Sequence, residues 1–164
     1  MGLAGRWWVV HTRARNEKVV AKTLAREGIP HYLPLVRLQR TYGGRRTTVS
    51  LPLFPGYLFM CGDGLAREKA WRTERVARVI AVADQDRLRW ELQQIVHVVE
   101  SGEPVNLFPG LREGRHCRIT GGALKGLEGV VLRRRSVSRV YIGVTILGQS
   151  AVVEIDSALL ESID

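Results

Sequence analysis

Cysteine is nearly absent from this 164-residue chain: only Cys61 and Cys117 occur, far apart and with no partner at metal-ligand spacing. That argues against a disulfide framework and against a zinc site, and it leaves two reduced, buried thiols as the expected state. Long apolar runs are missing as well. No segment approaches the ~20 apolar residues of a membrane helix, and the apolar run in "MGLAGRWWVV" is too short for a signal peptide. Gly2 lacks the Ser or Thr that a myristoylation pattern needs, because Arg6 stands at that place. A cytoplasmic protein without a membrane partner is expected. The four histidines, His11, His31, His97 and His116, are dispersed, and "GGALKG" has neither the Lys-Ser/Thr of a Walker loop nor the form of a dinucleotide fingerprint. With no nucleophile beside a base, no carboxylate pair and no metal cluster, the chain is not expected to be an enzyme or to carry a cofactor.

Acidic residues are also in short supply. Sixteen Asp and Glu stand against 25 Lys and Arg, a formal net charge of +9 and a pI near 10.4. Such a balance favours a polyanionic partner, nucleic acid above all, and says nothing about fold. Residues 1–105 hold 17 of the basic and 10 of the acidic residues, so the excess lies mainly in the first part of the chain. A hydrophobic content of 45% is enough for a real core in one domain or two small ones.

"WWVVHT", residues 7–12, is aromatic and β-branched and predicts a buried strand. Residues 14–27 predict a helix with Thr12 as N-cap and Gly28 as its left-handed end. Val20, Ala21 and Leu24 share one side of it, and Arg15, Lys18, Lys22 and Arg26 share another. "HYLPLVRLQR", residues 31–40, predicts a second strand, followed by the glycine turn "TYGGRR" with basic flanks. "TTVSLPLF" and "GYLFMC" read as strands broken at Pro55-Gly56, a pair suited to a turn. A short helix at 66–73 and a strand at 77–83 follow. Leu88, Leu92, Ile95, Val96 and Val99 then mark the clearest helix, with Asp84 or Asp86 as its cap. "SGEPVNLFPG", residues 101–110, has the composition of a linker, and beyond it "HCRIT", "LEGVVLRRR", "RVYIGVTIL" and "AVVEID" predict a compact barrel of about five strands. The class is α+β: an α/β sandwich with a mostly antiparallel sheet, then a small five-stranded β-barrel.

Trp7-Trp8-Val9-Val10, the basic helix, "PLFPGYLFM", "GGALKGLEGVVLRRR" and "VTILGQSAVVEID", in this order, resemble the NusG family of transcription elongation factors, including its RfaH-like paralogues. The likeness runs from about residue 6 to 163. It implies an N-terminal NGN domain over 1–102, a linker over 103–112 and a KOW domain over 113–164. It further implies a transcription elongation or antitermination factor, monomeric, whose NGN domain docks on the clamp helices of RNA polymerase. The wording "PLFPGYLF" and the preceding "GRRTTVS" resemble the specialised paralogues most. The competing reading is a KOW-type RNA-binding protein of the ribosome or translation apparatus, which would not need the aromatics clustered in "LFPGY".

The family's polymerase-docking pocket maps here to Phe54, Tyr57 and Phe59, with His11 as the contribution of the first strand. Strand alternation requires half of "YLFM" to face the core, and Phe54 and Tyr57 are expected to reach outward. Arg13, Arg15, Asn16, Lys18 and Lys22 form the face that would meet the non-template DNA strand, with Thr73 and Arg75 on an adjoining turn. Lys and Arg there would meet phosphates, and only Asn16, Arg13 or an inserted aromatic would read bases. Gly129, Arg133 to Arg135 and Arg139 predict an arginine-rich hairpin. "ILGQ", that is Ile146, Leu147, Gly148 and Gln149, matches the partner-binding loop that the family uses for Rho or a small-subunit ribosomal protein. The β-branched runs of this second domain predict strands throughout, not the helical alternative known from RfaH.

Overall fold

A computed structural model describes residues 5–164, so Met1 and Gly2, which carried the leader and lipidation readings, lie outside the described residues. The chain divides into two compact units, Met1–Gln85 and Asp86–Asp164.

The first unit is built on a four-stranded antiparallel sheet in the order β2-β5-β1-β6. Its strands are β1 (Arg6–Thr12), β2 (His31–Tyr32), β5 (Tyr57–Gly62) and β6 (Val76–Ala81). One face of this sheet presents Val10, Leu58 and Met60, which form a core with Val20 and Leu24 of helix α1 (Glu17–Arg26) and Ala66 and Ala70 of helix α2 (Gly64–Trp71). The alternate residues Trp7, Val9, Phe59 and Cys61 are buried as well, as a strand apolar on both faces requires.

Helix α1 starts later than expected. Thr12 belongs to β1 and does not cap the helix; Asn16 occupies the cap position without a side-chain cap bond. The end is as predicted. Gly28 adopts φ +68°, its N–H donates to Ala25 O and that of Ile29 donates to Leu24 O, the paired bonds of a Schellman motif. Helix α2 is capped by Asp63, whose Oδ1 accepts from the amides of Leu65 and Ala66 at 3.1 and 3.2 Å.

The predicted strand at 31–40 is broken at Leu33-Pro34 into β2 and β3 (Leu35–Tyr42), since proline supplies no ladder donor. Strand β3 pairs over its whole length with β4 (Arg45–Pro52) as a separate two-stranded ribbon. Gly43 and Gly44 close it with φ of +55° and +80°, the two positive values that a two-residue hairpin turn of type I′ demands.

The second unit contains helix α3 (Gln85–Ser101) from Asp86 onward and a six-stranded antiparallel sheet in the order β12-β8-β9-β10-β11-β7. Five strands arise from the predicted β-rich runs: β8 (His116–Ile119), β9 (Glu128–Leu132), β10 (Val137–Val144), β11 (Gln149–Asp156) and β12 (Leu160–Ser162). The sixth, β7 (Asn106–Phe108), comes from the segment read as linker and pairs with β11 through Ser150↔Phe108 and Val152↔Asn106. The expected five-stranded barrel is therefore corrected to a six-stranded sheet. The reason is that the short run "NLF" between prolines supplies ladder groups to a strand that otherwise lacks a second neighbour. Gly129 lies in β9 where a Cβ would meet Tyr141 O at 2.5 Å, so its glycine serves backbone approach between β9 and β10. Arg133, Arg134 and Arg135 are exposed between these strands. At the other end Asp164 accepts from the His116 amide and from its ring, and those bonds, the backbone one first, hold its carboxyl below the usual value. Both cysteines are free and buried, and burial pushes the Cys117 thiol up.

Candidate functional site

The tight turn before β5 organises the first candidate site. Tyr57 N–H donates to Phe54 O at 3.1 Å, with Pro55 and Gly56 at the two central positions and Gly56 at φ +86°, the geometry of a type II turn. Two neighbours hold it. Thr12 N–H donates to Gly56 O at 2.8 Å, and the Gly56 N–H donates to Glu17 Oε2 at 2.9 Å. Glu17 is buried on the first turn of α1, where a carboxylate is also favoured by the helix dipole. Nothing in the sequence pattern singles out this residue: its role depends on a partner 39 positions away.

On this turn the four expected docking residues separate into two pairs. Phe54 and Phe59 are fully buried, which corrects the expectation that Phe54 reaches outward. Physically, Phe54 opens the turn ahead of β5 and so escapes the alternation of that strand, and the β5 register places Phe59 opposite Val9 in the sheet interior. Tyr57 and His11 are half-exposed and stacked, with ring centroids 4.7 Å apart and planes 13° from parallel, because they are direct cross-strand neighbours in the β1–β5 ladder. Together they form a flat aromatic plate at the end of the sheet.

A basic cluster adjoins it. Arg13 N–H donates to Arg75 O at 2.8 Å, and Arg75 Nη1 donates to Asn16 Oδ1 at 2.9 Å. Thr73 Oγ1 caps the turn, donating to Ala70 O and accepting from the Arg75 amide. Thus Arg13, Asn16, Thr73 and Arg75, from segments some 60 residues apart, meet at one place, with the guanidinium groups of Arg13 and Arg75 exposed. Arg15 and Glu74 on its two loops adopt φ of +63° and +59°, rare for residues with a side chain. Lys22 is exposed on α1, whereas Lys18 points elsewhere: its Nζ donates to Ser50 O at the base of the β3–β4 ribbon.

In the second unit the "ILGQ" residues form the β10–β11 connection. Thr145–Leu147 make one 3-10 turn ended by Gly148 at φ +62°, and Gln149 opens β11. Ile146 is exposed and Leu147 half-buried. This loop too is held by a buried carboxylate that the sequence does not announce. Glu91 of α3 accepts from Thr145 N–H and from Thr145 Oγ1 at 2.7 Å. Nearby, the Gln94 side chain both donates to Glu128 O and accepts from Glu128 N–H, at 3.0 and 2.8 Å.

Comparison with known proteins now decides the family. Residues 5–109 match the family model described as transcription termination factor nusG. The chain belongs to the NusG family. This NusG-family chain is similar in fold to a solved structure described as "Domain interaction in Thermotoga maritima NusG", at 20% identity and a TM-score of 0.51, over 97% of each chain. A second structure, titled "Crystal Structure of MjSpt4:Spt5 complex conformation A", aligns over 96% of this chain and 98% of that one at 13% identity, with a TM-score of 0.32. A search of curated proteins finds no match. As a member of the NusG family, the protein is a transcription factor, and its family supports a role in elongation. Among the described residues no helix is long and apolar enough to cross a membrane.

Proposed function

We propose that this NusG-family protein is an elongation or antitermination factor of the specialised, RfaH-like kind. A first domain, residues 1–102, docks on the clamp helices of RNA polymerase, and a second, residues 113–164 beyond a linker at 103–112, recruits a further factor. The observation that carries this reading is the stacked His11–Tyr57 plate on a turn restrained by Glu17 and Thr12. A preorganised aromatic surface gives large contact area with little side-chain freedom to lose, which is the usual make-up of an interface anchor. Phe54 and Phe59 serve the same interface from beneath, by fixing the position of the turn.

Arg13, Arg15, Lys22 and Arg75 take the phosphates of an exposed non-template DNA strand, and Asn16, held by Arg75, lies among them as a base reader. The loop Ile146, Leu147, Gly148 and Gln149 is the contact for Rho or a small-subunit ribosomal protein. The protein works as a cytoplasmic monomer without a cofactor. The ribosomal alternative is not favoured, because the family match lies over residues 5–109, a region that a lone RNA-binding barrel would not need.

The test is a binding titration with homologous RNA polymerase. Tyr57→Ala should weaken binding by about 1–3 kcal/mol while the far-ultraviolet circular dichroism stays unchanged. Phe54→Ala should act through stability instead, by about 3–5 kcal/mol, as loss of a buried Phe does. A folded Tyr57→Ala protein of undiminished affinity would remove the plate from the interface.

A further inference from the structure

The β3–β4 ribbon belongs to no site described so far. Residues 28–62 contain no Asp or Glu, yet they hold Arg37, Arg40, Arg45 and Arg46, all of them in the ribbon. Residues 37–48 are exposed without interruption. None of the four arginines meets a carboxylate among the described residues. Two strands without a covering layer are only marginally stable in water, so a bare, acid-free, arginine-bearing ribbon is a costly feature to keep for solubility alone.

The register sorts its side chains. Arg37↔Ser50, Gln39↔Thr48 and Thr41↔Arg46 are cross-strand pairs on one face, polar over these three pairs with a guanidinium on each strand, and Leu35↔Pro52 continues it at the base of the ribbon. Leu38↔Val49, Arg40↔Thr47 and Tyr42↔Arg45 occupy the other, where Leu38 and Tyr42 are 41% and 56% exposed. At ~3.4 Å per residue the polar face from Arg37 to Thr41 runs ~14 Å. A major groove about 12 Å wide admits a two-stranded ribbon, and arginine and glutamine are the side chains that pair bidentately with guanine and adenine edges there. We infer that the polar face of this ribbon binds double-stranded DNA in the major groove, Arg37 and Arg46 meeting phosphate or guanine and Gln39 facing a base edge. Charge complementarity selects DNA over a protein partner for this face, since its exposed stretch offers no apolar side chain and carries two guanidinium groups that meet no carboxylate among the described residues. The bond from Lys18 Nζ to Ser50 O roots the ribbon beside the basic side of α1.

The inference stands apart from polymerase docking, and its test contains no polymerase. The full chain is titrated with a short labelled duplex and with either of its single strands, at several salt concentrations. Arg37→Ala/Arg46→Ala should lose about tenfold or more in duplex affinity and flatten the log–log salt slope by about 1 for each of the two arginines that meets a phosphate. Leu38→Ala/Tyr42→Ala, on the opposite face, should bind the duplex unchanged, and Arg13→Ala/Arg75→Ala should lower single-strand affinity only. The proposal is overturned if the Arg37/Arg46 variant binds the duplex as the unmodified chain does. It is equally overturned if the Leu38/Tyr42 variant loses as much, or if the Arg37/Arg46 variant loses as much affinity for the single strand as for the duplex.

Discussion

Glu17 shows what a single residue contributes that no motif records. Its carboxylate takes the Gly56 amide at the centre of the Pro55-Gly56 turn, so the conformation of "FPGY" depends on α1. Replacing it by alanine leaves a part-buried donor without a partner, a loss of about 1–3 kcal/mol. Glu17→Ala should therefore lower the urea midpoint by that measure, and Glu17→Gln, which keeps an acceptor oxygen, should lower it less; equal midpoints for Glu17→Ala and the unmodified chain would contradict the clamp. Pattern reading could identify Pro55-Gly56 as a turn, because φ near −65° and a positive φ are properties of proline and glycine themselves. It could not decide that Phe54 is buried while Tyr57 is half-exposed. Period-2 alternation offers two faces, and which of them is covered is settled by neighbours distant in sequence.

At the level of elements, α3 shows how a correct periodicity can still misplace a face. Leu88, Leu92 and Ile95 are buried as the spacing implies, but Val96 and Val99 are only half-buried. Val98, Glu91 and Gln94 complete the buried side instead. Two polar residues occupy interior positions because each finds backbone partners, Glu91 on Thr145 and Gln94 on Glu128. Strand β7 was invisible for a related reason, since three residues between turn formers have no periodicity to read. The β9–β10 pair offers a direct check on element geometry. Gly129→Ala would press a methyl against Tyr141 O and Val140 Cγ1, at 2.5 and 2.8 Å, and should destabilise by about 1–3 kcal/mol. Gly64→Ala, where the added methyl meets nothing within 4 Å, is the control and should not destabilise. Equal thermal midpoints for the two variants would mean that the ladder yields freely at Gly129.

For the whole molecule the governing quantity is charge. Of the net +9, residues 1–105 carry +7, so nucleic acid bound by this part of the chain would be held through released counterions. With Arg13, Arg15, Lys22 and Arg75 as phosphate partners, the log–log salt slope for a single strand should be about −3. The measurement is fluorescence anisotropy between about 50 and about 200 mM salt, and an affinity constant across that range would reduce the cluster to a solvated surface.

Composition, turn chemistry and hydrophobic period, all local properties of the chain, determined by themselves that this protein is a basic α+β chain with a proline-glycine turn in its aromatic stretch. Only the tertiary structure decided which aromatics remain accessible and which arginines share a surface. Arg75 and Asn16 meet across 59 positions, and His11 stacks on Tyr57 across a strand pair. Such juxtapositions follow from the packing of sheet and helices, which no local pattern encodes.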